Sequence, residues 1–189
     1  MFSFRIDEHL EMQLLEDRHA DELFALVINN RAHARQWLPW VDDTKTVDDT
    51  KAFIRRTLER FARQDGFQCV ILEDGKIVGG IGHLYVNWLA KKTEVGYWLA
   101  ESAQGRGIMT RAVIVMMEHA FNVYGLNRLE IHCATGNARS RAIPERLGFK
   151  LDGTLREAGY LYDRFVDHVV YSVLAREWKS LRSKHASHK

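Results

Sequence analysis

Glu94-Val95-Gly96-Tyr97-Trp98-Leu99, followed by Gln104-Gly105-Arg106-Gly107-Ile108-Met109-Thr110, is the stretch on which the fold turns. Lys92–Leu99 reads as a strand. Met109–Val123 carries Val113, Met116, Met117 and Ala120 at three- and four-residue spacing, so it reads as a helix. A strand, a glycine-rich loop and a helix N-terminus therefore follow one another. Gly105 and Gly107 let the main chain turn tightly and approach a ligand closely. The helix start then offers unpaired N–H groups and the positive end of its dipole. That combination suits a pyrophosphate without a metal, and Arg106 or Arg111 can add charge. Two glycines before a helix also occur in ordinary turns. Two other phosphate loops are excluded. G-x-x-x-x-G-K-[ST] is absent, and a dinucleotide G-x-G-x-x-G needs glycine where Thr110 stands.

Outward from this stretch the chain reads strands, helices, strands, helix, strand, helix, strands. Phe2–Ile6 and Glu11–Leu15 read as short strands, and Asp17–Asn30 has helical spacing. The aromatic segment Gln36-Trp37-Leu38-Pro39-Trp40 contains a helix-breaking proline. Thr46 and Asp49 form a capping-box pattern for a helix to about Arg63. Gly66–Glu73 and Lys76–Tyr85 flank the turn dipeptide Asp74-Gly75. Arg128–Ala134 is a strand, Ser140–Leu147 a short helix closed by Gly148, and Lys150–Leu155 and His168–Leu174 are final strands. No linker divides the chain, so residues 1–182 are expected to form one α/β (α+β) domain, with a polar, disordered tail at 183–189.

Composition narrows the function. The 189 residues hold 27 Lys plus Arg against 25 Asp plus Glu, a net charge of +2. That balance and the lack of a recognition motif argue against a nucleic-acid-binding regulator. No apolar run reaches the length of a membrane span, and the acid-containing N-terminus lacks a signal-peptide core. The expected location is the cytoplasm. Cys69 and Cys133 read as buried reduced thiols. The nine histidines include no H-x-x-x-H pair and no Cys/His cluster, so no metal site is expected.

Gln104 to Met109 resembles the acetyl-CoA signature Q/R-x-x-G-x-G/A of the GNAT acetyltransferases, with Met109 in place of the final small residue. Asn137-Ala138-Arg139-Ser140, followed by Pro144-Glu145-Arg146-Leu147-Gly148-Phe149, resembles the branch that acetylates N-termini of ribosomal proteins. Trp37–Trp40 and the Glu94–Leu99 strand are similar to the same branch. The resemblance spans about Phe4 to Trp178. It implies a mixed, mostly antiparallel sheet splayed between Lys92–Leu99 and Arg128–Ala134 and flanked by helices. The pantetheine of acetyl-CoA would lie in the split, pairing with strand groups near Tyr97, Trp98 and Leu99. Its phosphates would sit on Gln104, Gly105, Arg106, Gly107, Ile108, Met109 and Thr110, and Asn137 would hold the arm. A homodimer or higher homo-oligomer is also implied.

The chemistry is attack of a neutral amine on a thioester, with an oxyanion forming and a thiolate leaving. Strand N–H groups can polarise the carbonyl. The resemblance makes Ser140 the donor to the sulfur; the residues alone favour an ordinary helix cap. The related enzymes carry a carboxylate where Gly159 stands, so the base is open: Glu94 through a water, Glu157, or the solvent. Trp37, Trp40, Trp88 and Tyr160 are candidates to wall an acceptor pocket, and Asp42 and Asp43 to attract a cationic acceptor. The acceptor implied is a protein N-terminus. Alternatives are a small amine such as an aminoglycoside or polyamine, and a non-catalytic acyl-CoA-binding protein.

Overall fold

The computed structural model describes residues 2 to 186, with side chains described to residue 181. Eight strands form one sheet: β1 (Ser3–Arg5), β2 (Leu10–Leu14), β3 (Phe67–Glu73), β4 (Lys76–Asn87), β5 (Lys92–Leu99), β6 (Arg128–Ala134), β7 (Lys150–Leu161) and β8 (Arg164–Leu174). Their order is β1-β2-β3-β4-β5-β6-β8-β7. Every pairing is antiparallel except β5 with β6. The helices are α1 (Ala20–Asn29), α2 (Arg31–Ala34), α3 (Val47–Ala62), α4 (Ile108–Glu118), α5 (Ala138–Arg146) and α6 (Ala175–Ala186). This is the mixed, mostly antiparallel α/β architecture expected.

Local chemistry explains the elements. Thr46 Oγ1 accepts from Asp49 N at 3.3 Å, and the Asp49 carboxylate accepts from Thr46 N at 2.8 Å, so α3 starts with a capping box worth about 1 kcal/mol. Asp74 and Gly75 both have positive φ, 49° and 78°, which closes the β3–β4 hairpin. Pro39 does not merely end a helix: it opens a 3-10 turn over Pro39–Asp42, where its missing N–H costs nothing.

Two corrections concern element length. The helix expected over Met109–Val123 is α-helical only to Glu118, and His119–Val123 widens into a π-turn. The change accompanies burial of the His119 ring against Phe67 and Tyr124, at centroid distances of 5.0 and 4.2 Å. The last two strands are also longer than expected, forming a hairpin to Leu161 and from Arg164. Residues 156 to 167 are largely exposed, with only Leu161 buried, so no burial period marks them. Of the tail expected at 183–189, residues 183 to 186 continue α6, and the remainder lies outside the described residues.

The sheet is covered unequally. One face packs on α4, with Val95, Ile108, Val113, Met116, Leu129 and Ile131 fully buried; each such side chain contributes roughly 1.5–3 kcal/mol. The other face packs on α1 and α3, through Leu23, Val27 and Ile54 against Val70, Leu72 and Ile77 of β3 and β4. β5 and β6 pair only at Lys92↔Arg128, Thr93↔Leu129 and Glu94↔Glu130, and then part.

Candidate active site

The site begins where β5 and β6 part. β5 stays paired with β4 out to Leu99, and β6 with β8 out to Ala134. Beyond Glu94 and Glu130 their facing edges have no strand partner among the described residues. Main-chain groups left that way favour a ligand that restores hydrogen bonds. An open cleft of about 1160 Å³ occupies this place. It is lined by Tyr97, Trp98 and Leu99 of β5, by Gln104, Gly105 and Gly107 to Thr110, by Asn137 and Ser140, and by Trp37 on the opposite rim.

Gly105 and Gly107 have φ of 76° and 72°, the left-handed region that favours glycine. A Cβ on either would meet no protein atom within 4 Å, so the space beside the loop is open to a ligand. Gly107 is the N-cap of α4, and no side chain caps it, which leaves the first helical N–H groups free. Ile108 and Met109 are buried in the core, so they give the cleft their main chain. That placement accommodates the large Met109 in a motif that otherwise ends in a small residue.

Arg106 does not line the cleft. Its guanidinium forks onto Glu73 at 2.7 and 2.8 Å. Arg111 lines the cleft but bonds to Asp7. Two cations there escaped sequence reading. Arg139 donates to Gln104 Oε1 at 2.8 Å, and Arg146 to Thr110 Oγ1 at 3.1 Å. Their signal was the seven-residue spacing that puts both on one face of α5. The Gln104 amide also donates to His33 Nε2 at 2.8 Å, joining the cleft walls.

The capping alternative for Ser140 fails. α5 starts at Ala138, and Asn137 Oδ1 accepts from Ser140 N at 3.1 Å, so Asn137 is the cap and Ser140 the third helical residue. The Ser140 hydroxyl is therefore free of that duty. It lies 3.2 Å from Cys133 Sγ and donates to Tyr97 OH at 3.3 Å, while Tyr97 OH donates to the Ser140 carbonyl at 3.0 Å. Burial pushes the Tyr97 phenol and the Cys133 thiol upward, so both stay protonated. Cys69 and Cys133 are free and buried, as expected.

Glu94 points to the opposite face of β5 from Tyr97. Burial and the nearby Glu130 charge raise its carboxyl, opposed by His132, whose Nδ1 is 3.7 Å away. Trp40 does not line the cleft; it packs edge-on against Trp98 at 5.9 Å. Trp88 is tied to the Gln64 carbonyl at 2.8 Å, and Tyr160 packs on Phe165 at 5.0 Å, both away from the cleft. Asp42 is paired with Arg35 at 2.8 Å, which offsets its pull on a cation. Glu157 is exposed, at φ 52°. Tyr162 OH donates to the Leu38 carbonyl at 3.1 Å and carries Arg35 over its ring at 3.9 Å, which ties the β7–β8 turn to the Trp37 segment. Among the described residues no group of three or more His, Cys, Asp or Glu is placed to hold a metal, and no helix is long and apolar enough to cross a membrane.

Residues 9–150 match the family described as the acetyltransferase (GNAT) domain. The chain is 35% identical over 180 residues to a Bacillus subtilis protein named "Putative ribosomal N-acetyltransferase YdaF", covering 95% of this chain and 98% of the relative. It is 28% identical to the ribosomal-protein-serine acetyltransferase of Escherichia coli, covering 90% and 95%. The solved structure of RimL, a ribosomal L7/L12 alpha-N-protein acetyltransferase in complex with coenzyme A, superposes with a TM-score of 0.89 at 25% identity, covering 92% and 98%. An uncapped helix start beside a split sheet and a match along most of the sequence agree: the chain belongs to the GNAT acetyltransferases and is an acetyl-CoA-dependent enzyme.

Proposed function

We propose that this enzyme acetylates the N-terminal amine of a protein, with ribosomal proteins as the acceptor class, by direct attack in a ternary complex. The observation that carries the reading is the split between β5 and β6, which opens beside the uncapped start of α4 and runs to Ser140. The names of the two relatives support the acceptor class. Acetyl-CoA would lie with its pyrophosphate on the N–H groups of Gly107 to Thr110, near Arg139 and Arg146. Its pantetheine amides would pair with the free edge of β5, and the Asn137 amide would hold the arm. The free edge of β5 would also donate to the oxyanion. As the carbon–sulfur bond breaks, the Ser140 hydroxyl turns from Tyr97 and donates to the departing sulfur. Glu94 takes the proton of the incoming ammonium through a water. Trp37 walls the acceptor side. Trp40 acts only through Trp98.

The enzyme is proposed to work in the cytoplasm, where Cys69 and Cys133 stay reduced, and as a homodimer. The exposed apolar residues Leu155, Tyr160 and Phe165 of the β7–β8 hairpin are the surface that favours pairing. Mass spectrometry with acetyl-CoA tests the function on peptides beginning with serine or alanine, beside spermidine and an aminoglycoside. Acetylation confined to peptide N-termini is expected. Turnover of the small amines alone would replace the reading with a small-amine acetyltransferase.

A further inference from the structure

The face of the sheet opposite α4 carries a row of titratable groups on β5, β6 and β8 that the cofactor cleft does not use. Glu94 on β5 is the register partner of Glu130 on β6. His132 lies two residues further along β6, opposite Val170, and His168 is two residues from Val170 on β8. Residues in register, and those two apart, share a face of a sheet. Glu94, Glu130, His132 and His168 therefore lie side by side on one face of β5, β6 and β8, opposite α4.

Glu130 anchors the row. Its side chain is only 7% exposed, yet it is held ionised. Arg128 Nε at 2.6 Å and Lys92 Nζ at 3.2 Å both donate to Oε1, and Tyr85 OH donates to Oε2 at 3.4 Å. Burial opposes ionisation, but the two cations win and hold the carboxyl below its ordinary value. Arg128 is steadied in turn by Asp152 and by Ser172 Oγ. An ionised carboxylate can only accept hydrogen bonds. The contact of 3.2 Å between His132 Nε2 and Glu130 Oε2 thus places a proton on Nε2. Nδ1 is left as the nitrogen that gains or loses a proton, and it faces Glu94 Oε2 at 3.7 Å, a separation that a small shift or a water closes. The groups that face His132 are Glu94 from β5, Glu130 from β6 and His168 from β8, while Lys92, Arg128 and Tyr85 reach it only through Glu130.

His168 completes the row. A Cβ at Gly159 would lie 2.5 Å from His168 Nε2, so the imidazole occupies the room that any side chain at 159 would need. Burial and the His132 charge lower its pKa. It stays neutral and sets no fixed positive charge against His132.

Resting on Glu94 as the group that takes the amine's proton, we propose that His132 is a positioning residue that shares this proton with Glu94. The acceptor ammonium gives one proton to Glu94, and Glu94 passes it to His132 Nδ1. His132, a fifth exposed, releases it to water, while Glu130 holds the ring through Nε2. One proton leaves the substrate and one reaches solvent, and both residues return to their starting state.

The test is His132→Gln, which keeps an N–H for Glu130 and removes the titrating nitrogen. With a peptide beginning with serine, kcat at neutral pH should fall roughly 10-fold with the KM for acetyl-CoA unchanged. The acidic limb of the kcat/KM profile should move to higher pH, because a proton taken up on Nδ1 opposes the rise of Glu94 and the variant cannot hold one there. Carbon-13 NMR of the Glu94 carboxyl reads the same upward shift without any acceptor, and Glu130→Gln should also disturb it. A wild-type limb and an unchanged Glu94 titration in both variants would overturn the proposal. Glu94→Gln separates the two readings. Full activity in Glu94→Gln removes Glu94 as base; a slow Glu94→Gln beside a wild-type His132→Gln removes only the role of His132.

Discussion

The two sides of the split in the sheet are built from different materials. The cofactor side is mostly main chain: the left-handed glycines 105 and 107, the first N–H groups of α4, and the free edge of β5. The side proposed to meet the acceptor is mostly side chains: Glu94, Glu130, His132 and His168 in a row across β5, β6 and β8. Main-chain groups cannot titrate, and they hold one geometry as long as the fold holds. Ionisable side chains can be retuned by single substitutions. A cosubstrate shared by a whole family suits the first kind of surface, and an acceptor that varies between relatives suits the second.

The histidines divide along the same line, and acid should separate them. His83 and His119 are buried on the α4 face, with His119 Nδ1 3.4 Å from His83 Nε2. Burial pushes them down to about 3 and about 4. Both are neutral when folded, whereas the unfolded chain binds protons on both below about 6.5. Their contribution to stability is therefore complete above about pH 6.5 and is lost as pH falls, to about 4 for His119 and about 3 for His83, at about 1.4 kcal/mol per pH unit for each ring. Denaturant titrations at several pH values check this, and His119→Phe should roughly halve the slope. A slope unchanged in that variant would break the contrast between the two sets of histidines.

Ser140 sharpens the comparison at its boundary, since it is the side chain on the cofactor side given a chemical role. Ser140→Ala should lower kcat roughly 100-fold with little change in coenzyme A affinity, because its bond strengthens as charge grows on sulfur. Melting should change little, since Asn137 makes the cap. A wild-type kcat would leave the strand N–H groups as the main catalytic device. Gly107→Asp should weaken coenzyme A binding at least about 10-fold, or about 1.4 kcal/mol, by adding bulk, charge and a disfavoured backbone angle; calorimetry reads it. Arg106→Ala should do least. Arg106 is half exposed and pairs with Glu73, so its loss should alter stability by under about 1 kcal/mol and leave coenzyme A binding almost unchanged.

The same contrast explains what could be read from the sequence. The loop Gln104–Thr110 is contiguous, and its chemistry depends on residues a few positions apart, so glycine spacing and helix periodicity located it, while the family resemblance supplied Asn137 and Ser140. The capping box at Thr46 and the turn at Asp74-Gly75 were legible for the same reason. The row of Glu94, Glu130, His132 and His168 joins β5, β6 and β8, and Glu130 and His132 carry no local pattern that distinguishes them from ordinary strand residues. Arg106 looked like a phosphate ligand because it sits in the loop. Only the fold brings Glu73 alongside it. Ser140 looked like a cap because the helix boundary was placed two residues late, where apolar spacing begins. The outer half of the β7–β8 hairpin was missed because it is largely exposed and buries only Leu161, which leaves no alternation to read.

The central claim is that acetyl-CoA lies in the split, with its phosphates at the start of α4. Amide NMR during titration with coenzyme A tests it most directly. The account predicts that the amides of Gly107 to Thr110 and those of β5 beyond Glu94 shift together at one affinity, while Lys92 and Thr93, still paired with β6, stay in place. Binding that moves neither Gly107 to Thr110 nor Tyr97 to Leu99 would contradict it.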